Sequence, residues 1–136
     1  MHQQNLSEAE ISAWLKLTLA NGVGSSDQRS LLKEFGSPQA IFDAGELLIE
    51  KYIGQSKAQK LFAAQTDEII EQTLTWLQLS EQHHIITLAD ENYPKTLLNI
   101  SDPPTIIYAR GNIELLNHQG LAVVGSRNAT PQGLLN

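Results

Sequence analysis

The sequence predicts a small all-helical domain followed by the opening strands of an α/β domain. Three observations carry this reading. Residues 7–80 place apolar side chains at helical spacing between glycine breaks. After His83 the pattern changes to short β-branched runs, HIITL, TIIYA and LAVVG, each bounded by turn residues. A chain of 136 residues is long enough for one ordinary domain, or for one small domain and a piece of another.

The helical part is read element by element. Ser7 followed by Glu10 is a capping box, after which Ile11, Trp14 and Leu15 share a helical face. Asn21-Gly22-Val23-Gly24 stops that helix with a tight turn. A second helix starts near Ser26, carries Leu31, Leu32 and Phe35, and ends at Gly36. Ser37 and Pro38 open a third as N-cap and first helical residue. A short helix with Leu47, Leu48 and Ile49 follows Gly45. Gly54 ends it, and Ser56 is expected to cap one long helix through Leu61, Phe62, Ile69, Ile70, Leu74 and Leu77.

The strands are expected at His84–Leu88, Thr105–Ala109 and Leu121–Gly125. Between them lie a short helix from Pro94, the extended Asp102-Pro103-Pro104 linker and a short helix near Ile113–Leu116. The domain boundary falls near residues 80–84, giving a helical domain at 1–82 and the start of an α/β domain at 83–136. Parallel strands need crossover helices on their faces, and three strands without a full crossover leave apolar surface uncovered. Pro131–Asn136 reads as the opening turn of a further helix, so the chain is expected to be an amino-terminal piece of a longer protein.

Composition narrows the class. Apolar residues make up 41% of the chain and charged residues 18%, which fits a packed protein rather than a disordered one. No apolar run reaches the roughly 18–20 residues that span a bilayer, and the amino terminus lacks the pattern of a signal peptide. Cysteine is absent, which removes disulfides, thiolate metal sites and a cysteine nucleophile. A cytoplasmic location is the simplest expectation. The net charge of −6 opposes a broad nucleic-acid-binding face, which is usually basic. Both parts are acidic, with six basic and ten acidic side chains in residues 1–80 and three and five in residues 81–136.

Two segments hold candidate chemistry. Leu19-Ala-Asn-Gly-Val-Gly24 resembles a helix-hairpin-helix motif, in which glycines let backbone N–H groups approach a phosphate. Gly22 and Gly24 are therefore candidate phosphate contacts. Tyr52-Ile53-Gly54-Gln-Ser-Lys-Ala58 reads as a weaker second copy, with Ala58 at the packing position that Gln28 holds in the first. A plain helix–helix turn remains the alternative for both, and Asp27, Glu34 and Glu50 nearby do not suit a phosphate. The second segment is Val123-Val124-Gly125-Ser126-Arg127. A strand that ends in Gly-Ser before a helix start forms a nest of N–H groups for an anion, and Arg127 adds a fork of donors suited to phosphate oxygens. Its alternative is a packing turn with Arg127 as a cap.

Other residues carry less. His83 and His84 are strand neighbours that point to opposite faces, with no third ligand, so no metal is expected. Trp14 and Trp76 read as core aromatics. Ser126 has no His or Asp nearby in sequence to make a nucleophile. Tyr93-Pro94 is expected to fix a turn with the ring buried.

Several motifs occur in order: Tyr93-Pro94 with Leu97-Leu98, Ile100-x-Asp102-Pro103-Pro104, Ile107-Tyr108-x-Arg110-Gly111-Asn112, Ala122–Arg127 and Thr130-x-x-Gly133. Together they resemble the entry to the Rossmann-like domain of the bacterial DNA-processing protein A family (DprA, also called Smf). The helices before them, with Gly-Val-Gly and Leu31-Leu32-x-x-Phe35-Gly36-Ser37, are more loosely similar to the family's small helical domain, described as sterile-alpha-motif-like or helix-hairpin-helix-like. The resemblance implies single-stranded-DNA binding in natural transformation, help in loading the RecA recombinase, dimerisation through the Rossmann-like domain, no catalysis and no cofactor. It places Gly125, Ser126 and Arg127 at the DNA. Two alternatives stand beside it: a nucleotide-processing enzyme that holds a phosphate at Gly125-Ser126-Arg127, and a helical domain that binds protein, which its acidity suits.

Overall fold

Helices begin in this chain where a side chain takes up the first orphaned backbone N–H groups. In the computed structural model, which describes residues 6–112, Ser7 caps α1 (Glu8–Leu19). Its hydroxyl accepts from the Glu10 amide at 3.1 Å, and its own amide donates to the Glu10 carboxylate at 2.9 Å. The expected capping box is therefore complete. Helix α2 (Ser25–Phe35) closes on the Gly36 amide, which donates to the Leu32 carbonyl at 2.8 Å. Ser37 caps α3 (Pro38–Ala44) by accepting from the Ala40 amide at 3.2 Å, with Pro38 at the first position, where its missing N–H costs nothing. Helix α4 (Glu46–Ile53) lies between Gly45 and Gly54.

The long helix expected from Ser56 is two helices. Helix α5 (Gln55–Ala63) starts on Gly54, and α6 (Asp67–Gln78) follows a break at residues 64–66. Thr66 stands in the N-cap place, buried, with its carbonyl accepting from the Ile70 amide at 2.9 Å. Asp67 and Glu68 follow in the first turn, where negative charge suits the helix dipole. Phe62 and Ile69 are seven residues apart, so the apolar stripe keeps phase across the break and hides it.

The chain divides into two compact units, Leu6–Ile70 and the residues from Glu71 onward. The division falls inside α6, earlier than the change from helix to strand at His83. In the first unit every helix from α1 to α5 contributes to one core: Leu17, Leu31, Ile41, Ile49 and Leu61 are fully enclosed, and Val23 and Ala58 join them. Phe42 and Phe62 meet edge to face at 5.4 Å between centroids, and the Lys16 ammonium sits 4.7 Å over the Phe42 ring. Trp14 is buried, as expected for a core aromatic.

The second unit is built on β1 (His83–Thr87) and β2 (Ile106–Arg110), each within one residue of its expected place. They pair antiparallel, with Ile85 opposite Tyr108 and Ile86 opposite Ile107. Parallel packing under crossover helices is not found between these two strands. Alternation then sorts the side chains. Ile86 and Ile107 cluster with Tyr93, Leu88, Leu97 and Ala109 on one face. On the other face Trp76 meets Tyr108 edge to face at 6.1 Å and stacks on His83 at 4.3 Å. The His83 Nδ1 lies 2.6 Å from the Trp76 carbonyl, so Nδ1 carries the proton in this contact. Burial pushes the Tyr108 hydroxyl up to about 12, so the ring stays neutral at any physiological pH. The expected strand at Leu121–Gly125 and helix near Ile113 lie outside the described residues.

The excursion from β1 to β2 is held by turns rather than by a regular helix. Asp90 accepts from the Thr87 amide at 3.0 Å, and only a 3-10 turn, Leu97–Asn99, forms after Pro94. Tyr93 is buried, and its hydroxyl donates to the Pro104 carbonyl at 2.6 Å, tying the two ends of the excursion together. Tyr93→Phe should therefore lower the unfolding free energy by about 1 kcal/mol, and Tyr93→Ala by about 3–5 kcal/mol, in urea titrations followed by circular dichroism. Equal stability of Tyr93→Phe and the parent would show that the hydroxyl ties nothing.

Candidate nucleic-acid interface

Two glycine hairpins in the first unit were legible as candidate phosphate contacts, and the structure brings them together. The first joins α1 to α2. Its turn has Gly22 at φ +90°, a conformation that side chains with a Cβ resist. Val23 is buried at the tip and donates to the Ala20 carbonyl at 3.4 Å. Gln28, fully enclosed, donates its side-chain amide to the Val23 carbonyl at 3.0 Å, which satisfies a carbonyl that the turn would otherwise bury alone. The second hairpin joins α4 to α5 at Gly54, φ +93°. The two helix starts correspond at a spacing of thirty, although Gly24 (φ −84°) and Gly54 differ in backbone angle. The Gln28 amide donates to the Gly24 carbonyl and the Ala58 amide to the Gly54 carbonyl, each at 3.0 Å, and both residues are fully enclosed.

The hairpins also touch. Asp27 of the first pairs with Lys57 of the second at 2.8 Å. The space above Gly22 is taken by Lys60: an added Cβ would lie 2.7 Å from its Cδ and 3.3 Å from its Nζ. Glycine at 22 is thus required twice, by its backbone angle and by a lysine stem from the other hairpin. Gly24 differs, with an ordinary φ of −84° and open space beside it.

The two helix starts differ in charge. Helix α2 has Asp27 in its first turn, whereas α5 has no acidic residue there and presents Gln55, Ser56 and Lys57 exposed. The second hairpin, the weaker match by sequence, is the more favourable of the two for an anion. Lys57 and Lys60 were missed by sequence reasoning. The available signal was a lysine pair three residues apart within an acid-free stretch. Among the described residues no group of three His, Asp or Glu side chains could hold a metal. Gly125, Ser126 and Arg127 lie outside the described residues.

The second unit carries the first part of the ordered motifs, and there they are scaffold. Tyr93 and Ile107 fill the core on one sheet face, Pro103 is buried, and Pro104 accepts the Tyr93 hydroxyl. The Gly111 amide donates to the Gln82 carbonyl at 2.8 Å and closes the end of the ladder. Burial lowers the affinity of His84 for a proton, opposed in part by a backbone hydrogen bond with Gly111.

This motif-bearing segment is also where the chain matches known proteins. A family model described as DNA recombination-mediator protein A matches residues 84–135. Protein Smf of Escherichia coli strain K12 is 41% identical over 58 residues, 43% of this chain and 15% of the relative. The DNA processing protein DprA of Streptococcus pneumoniae is 40% identical over 47 residues, 35% of this chain and 17% of the relative. Over this segment the chain is similar to the DprA/Smf family. A longer and weaker match, to Protein Smf of Synechocystis, is 26% identical over 148 residues and takes in 94% of this chain and 33% of the relative. The chain thus spans between 15% and 33% of the length of these DprA/Smf relatives. No solved structure matches it significantly.

Gly22→Ala should cost about 1–2 kcal/mol in thermal or urea unfolding, because a Cβ at positive φ is strained whatever Lys60 does. Gly24→Ser should be neutral or stabilising by a few tenths of a kcal/mol, since serine is a better N-cap than glycine. Equal losses at the two positions would mean that the hairpin lacks the geometry described.

Proposed function

We infer that this protein binds single-stranded DNA as a recombination mediator in natural transformation, and helps to load the RecA recombinase without itself catalysing a reaction. The observation that carries the reading is the family match over residues 84–135, which contains Gly125-Ser126-Arg127. In this reading residues 83–136 open a Rossmann-like domain through which the protein dimerises, and residues 1–82 form a sterile-alpha-motif-like or helix-hairpin-helix-like domain. Arg127 holds a phosphate, Gly125 and Ser126 shape the anion pocket, and the protein works in the cytoplasm. Gly22 and Gly24 have a minor part, because Lys60 covers one and Asp27 offsets the helix start beside the other.

The charge of the chain sets a limit. At net −6 few counterions are released on DNA, so the 136-residue chain alone should bind weakly at physiological salt. A second reading, a protein-interaction role for the helical unit, is favoured by α4, where Leu47 is 78% exposed beside the exposed Leu48 and Tyr52. Among the described residues no helix is long and apolar enough to cross a membrane.

In the full-length protein, Arg127→Ala should weaken single-stranded-DNA binding about ten- to a hundredfold, the worth of one charge-assisted contact. The loss should be the same for every DNA sequence, because phosphate contacts carry no base information. Arg127→Lys should recover part of it, keeping the charge but losing the planar fork. Fluorescence anisotropy with labelled oligonucleotides reads both. Unchanged affinity together with a lower melting temperature would make Arg127 a packing residue.

A further inference from the structure

We propose that the α4–α5 hairpin carries a separate binding surface for a phosphodiester backbone, formed by Lys51, Lys57 and Lys60 and held in check by Asp27. The inference rests on the DNA-binding reading above but uses none of the residues that reading places in the anion pocket.

Charge distribution comes first. From Lys51 to Thr66 the chain has three lysines and no acidic residue, in a protein of net charge −6. All three lysines are exposed. Lys57 and Lys60 stand three residues apart on α5, which puts them on one helical face, near enough to reach neighbouring phosphates of one strand. Lys51 lies in the last turn of α4, just before the Gly54 turn. A local field of one sign on an acidic molecule draws a polyanion toward that place.

Placement comes second. An exposed lysine ordinarily swings freely and loses entropy when it binds. Lys60 is instead laid across the first hairpin, its Cδ 2.7 Å from where a Cβ on Gly22 would be and its ammonium beside the turn. The contact is with glycine backbone, and neither Lys60 nor Lys51 has an ion-pair partner among the described residues. Part of the ordering cost is therefore met before any ligand arrives.

The third observation is the one acid that pairs with this surface among the described residues. Asp27 comes from the other hairpin and pairs with Lys57 at 2.8 Å, with both side chains partly exposed. Such a pair contributes little to stability. It does remove one positive charge from the surface. A phosphate approaching Lys57 has to displace the Asp27 carboxylate or share the ammonium with it. Removing that carboxylate should therefore strengthen DNA binding, an outcome that a purely structural ion pair does not give.

The test is an anisotropy titration of the 136-residue chain at low salt, about 20 mM, with a fluorescein-labelled twenty-nucleotide oligo(dT) and with a duplex of equal length. Lys51→Gln combined with Lys60→Gln keeps the side-chain stems and removes two charges. It should weaken binding about tenfold or more and lower the salt slope by about 1.4 on the single strand and about 1.8 on the duplex. Lys60→Arg should bind like the parent. Asp27→Asn should tighten binding about threefold, by freeing one cation. Far-UV circular dichroism melts should stay within a few degrees of the parent for each variant. Loss on both DNAs assigns the surface to the backbone of either form, and loss on one alone identifies its source. Binding by the double glutamine variant within twofold of the parent, no gain with Asp27→Asn, or no measurable binding by the parent would each overturn the proposal. The double glutamine variant should act whether or not Arg127→Ala does in the full-length protein. A failure of the anion pocket is thereby distinguished from a failure of this surface.

Discussion

No helix among the described residues is longer than twelve residues, and that length constrains the rest of the molecule. Helices of this size are marginal in water on their own, because the first turn fixes several residues for one hydrogen bond. They persist only by sharing a core. Each helix from α1 to α5 commits at least one fully enclosed residue to the cluster around Leu17, Leu31 and Leu61. The turns between them must be short and fixed for those residues to meet. That requirement explains a fully enclosed Gln28, whose amide holds the Val23 carbonyl, and a glycine at 22 beneath the stem of Lys60. The hairpin surface is a by-product of closing the core.

Local chemistry made much of the fold legible in the sequence. The Ser7–Glu10 box, the Ser37-Pro38 start and the glycine stops each act within four residues, and each was read correctly. What failed depended on something other than the local pattern. The α5–α6 break was hidden because Phe62 and Ile69 keep helical phase, although Thr66-Asp67-Glu68 was there as a start signal. Strand existence was legible from β-branched runs. Strand direction was not, because alternation is the same in parallel and antiparallel pairs. The buried Tyr93 ring was expected, but its bond to Pro104, eleven residues away, could not be read from spacing.

The candidate site divides in the same way. Gly22 was legible as a turn residue, yet its partner Lys60 is thirty-eight residues further on and belongs to another helix. The Asp27–Lys57 pair likewise joins equivalent positions of two hairpins. Sequence reading weighed Asp27 as an acid that repels phosphate. In the fold its charge is directed at a lysine, so its effect is on that lysine's availability. On the proposed reading, an acidic chain remains compatible with a polyanionic partner through a few placed cations.

The account's central claim is the proposal that DNA meets this protein at two cationic places, the α4–α5 hairpin and the Gly125–Arg127 segment. Titration of the ¹⁵N-labelled 136-residue chain with unlabelled oligo(dT) at low salt, followed by amide chemical shifts, tests it most directly. The account predicts fast-exchange shifts concentrated at residues 51–60, at Gly22 and at residues 125–127, with α1 and α6 unmoved. Shifts spread over the acidic helices, or absent from both cationic segments, would contradict it.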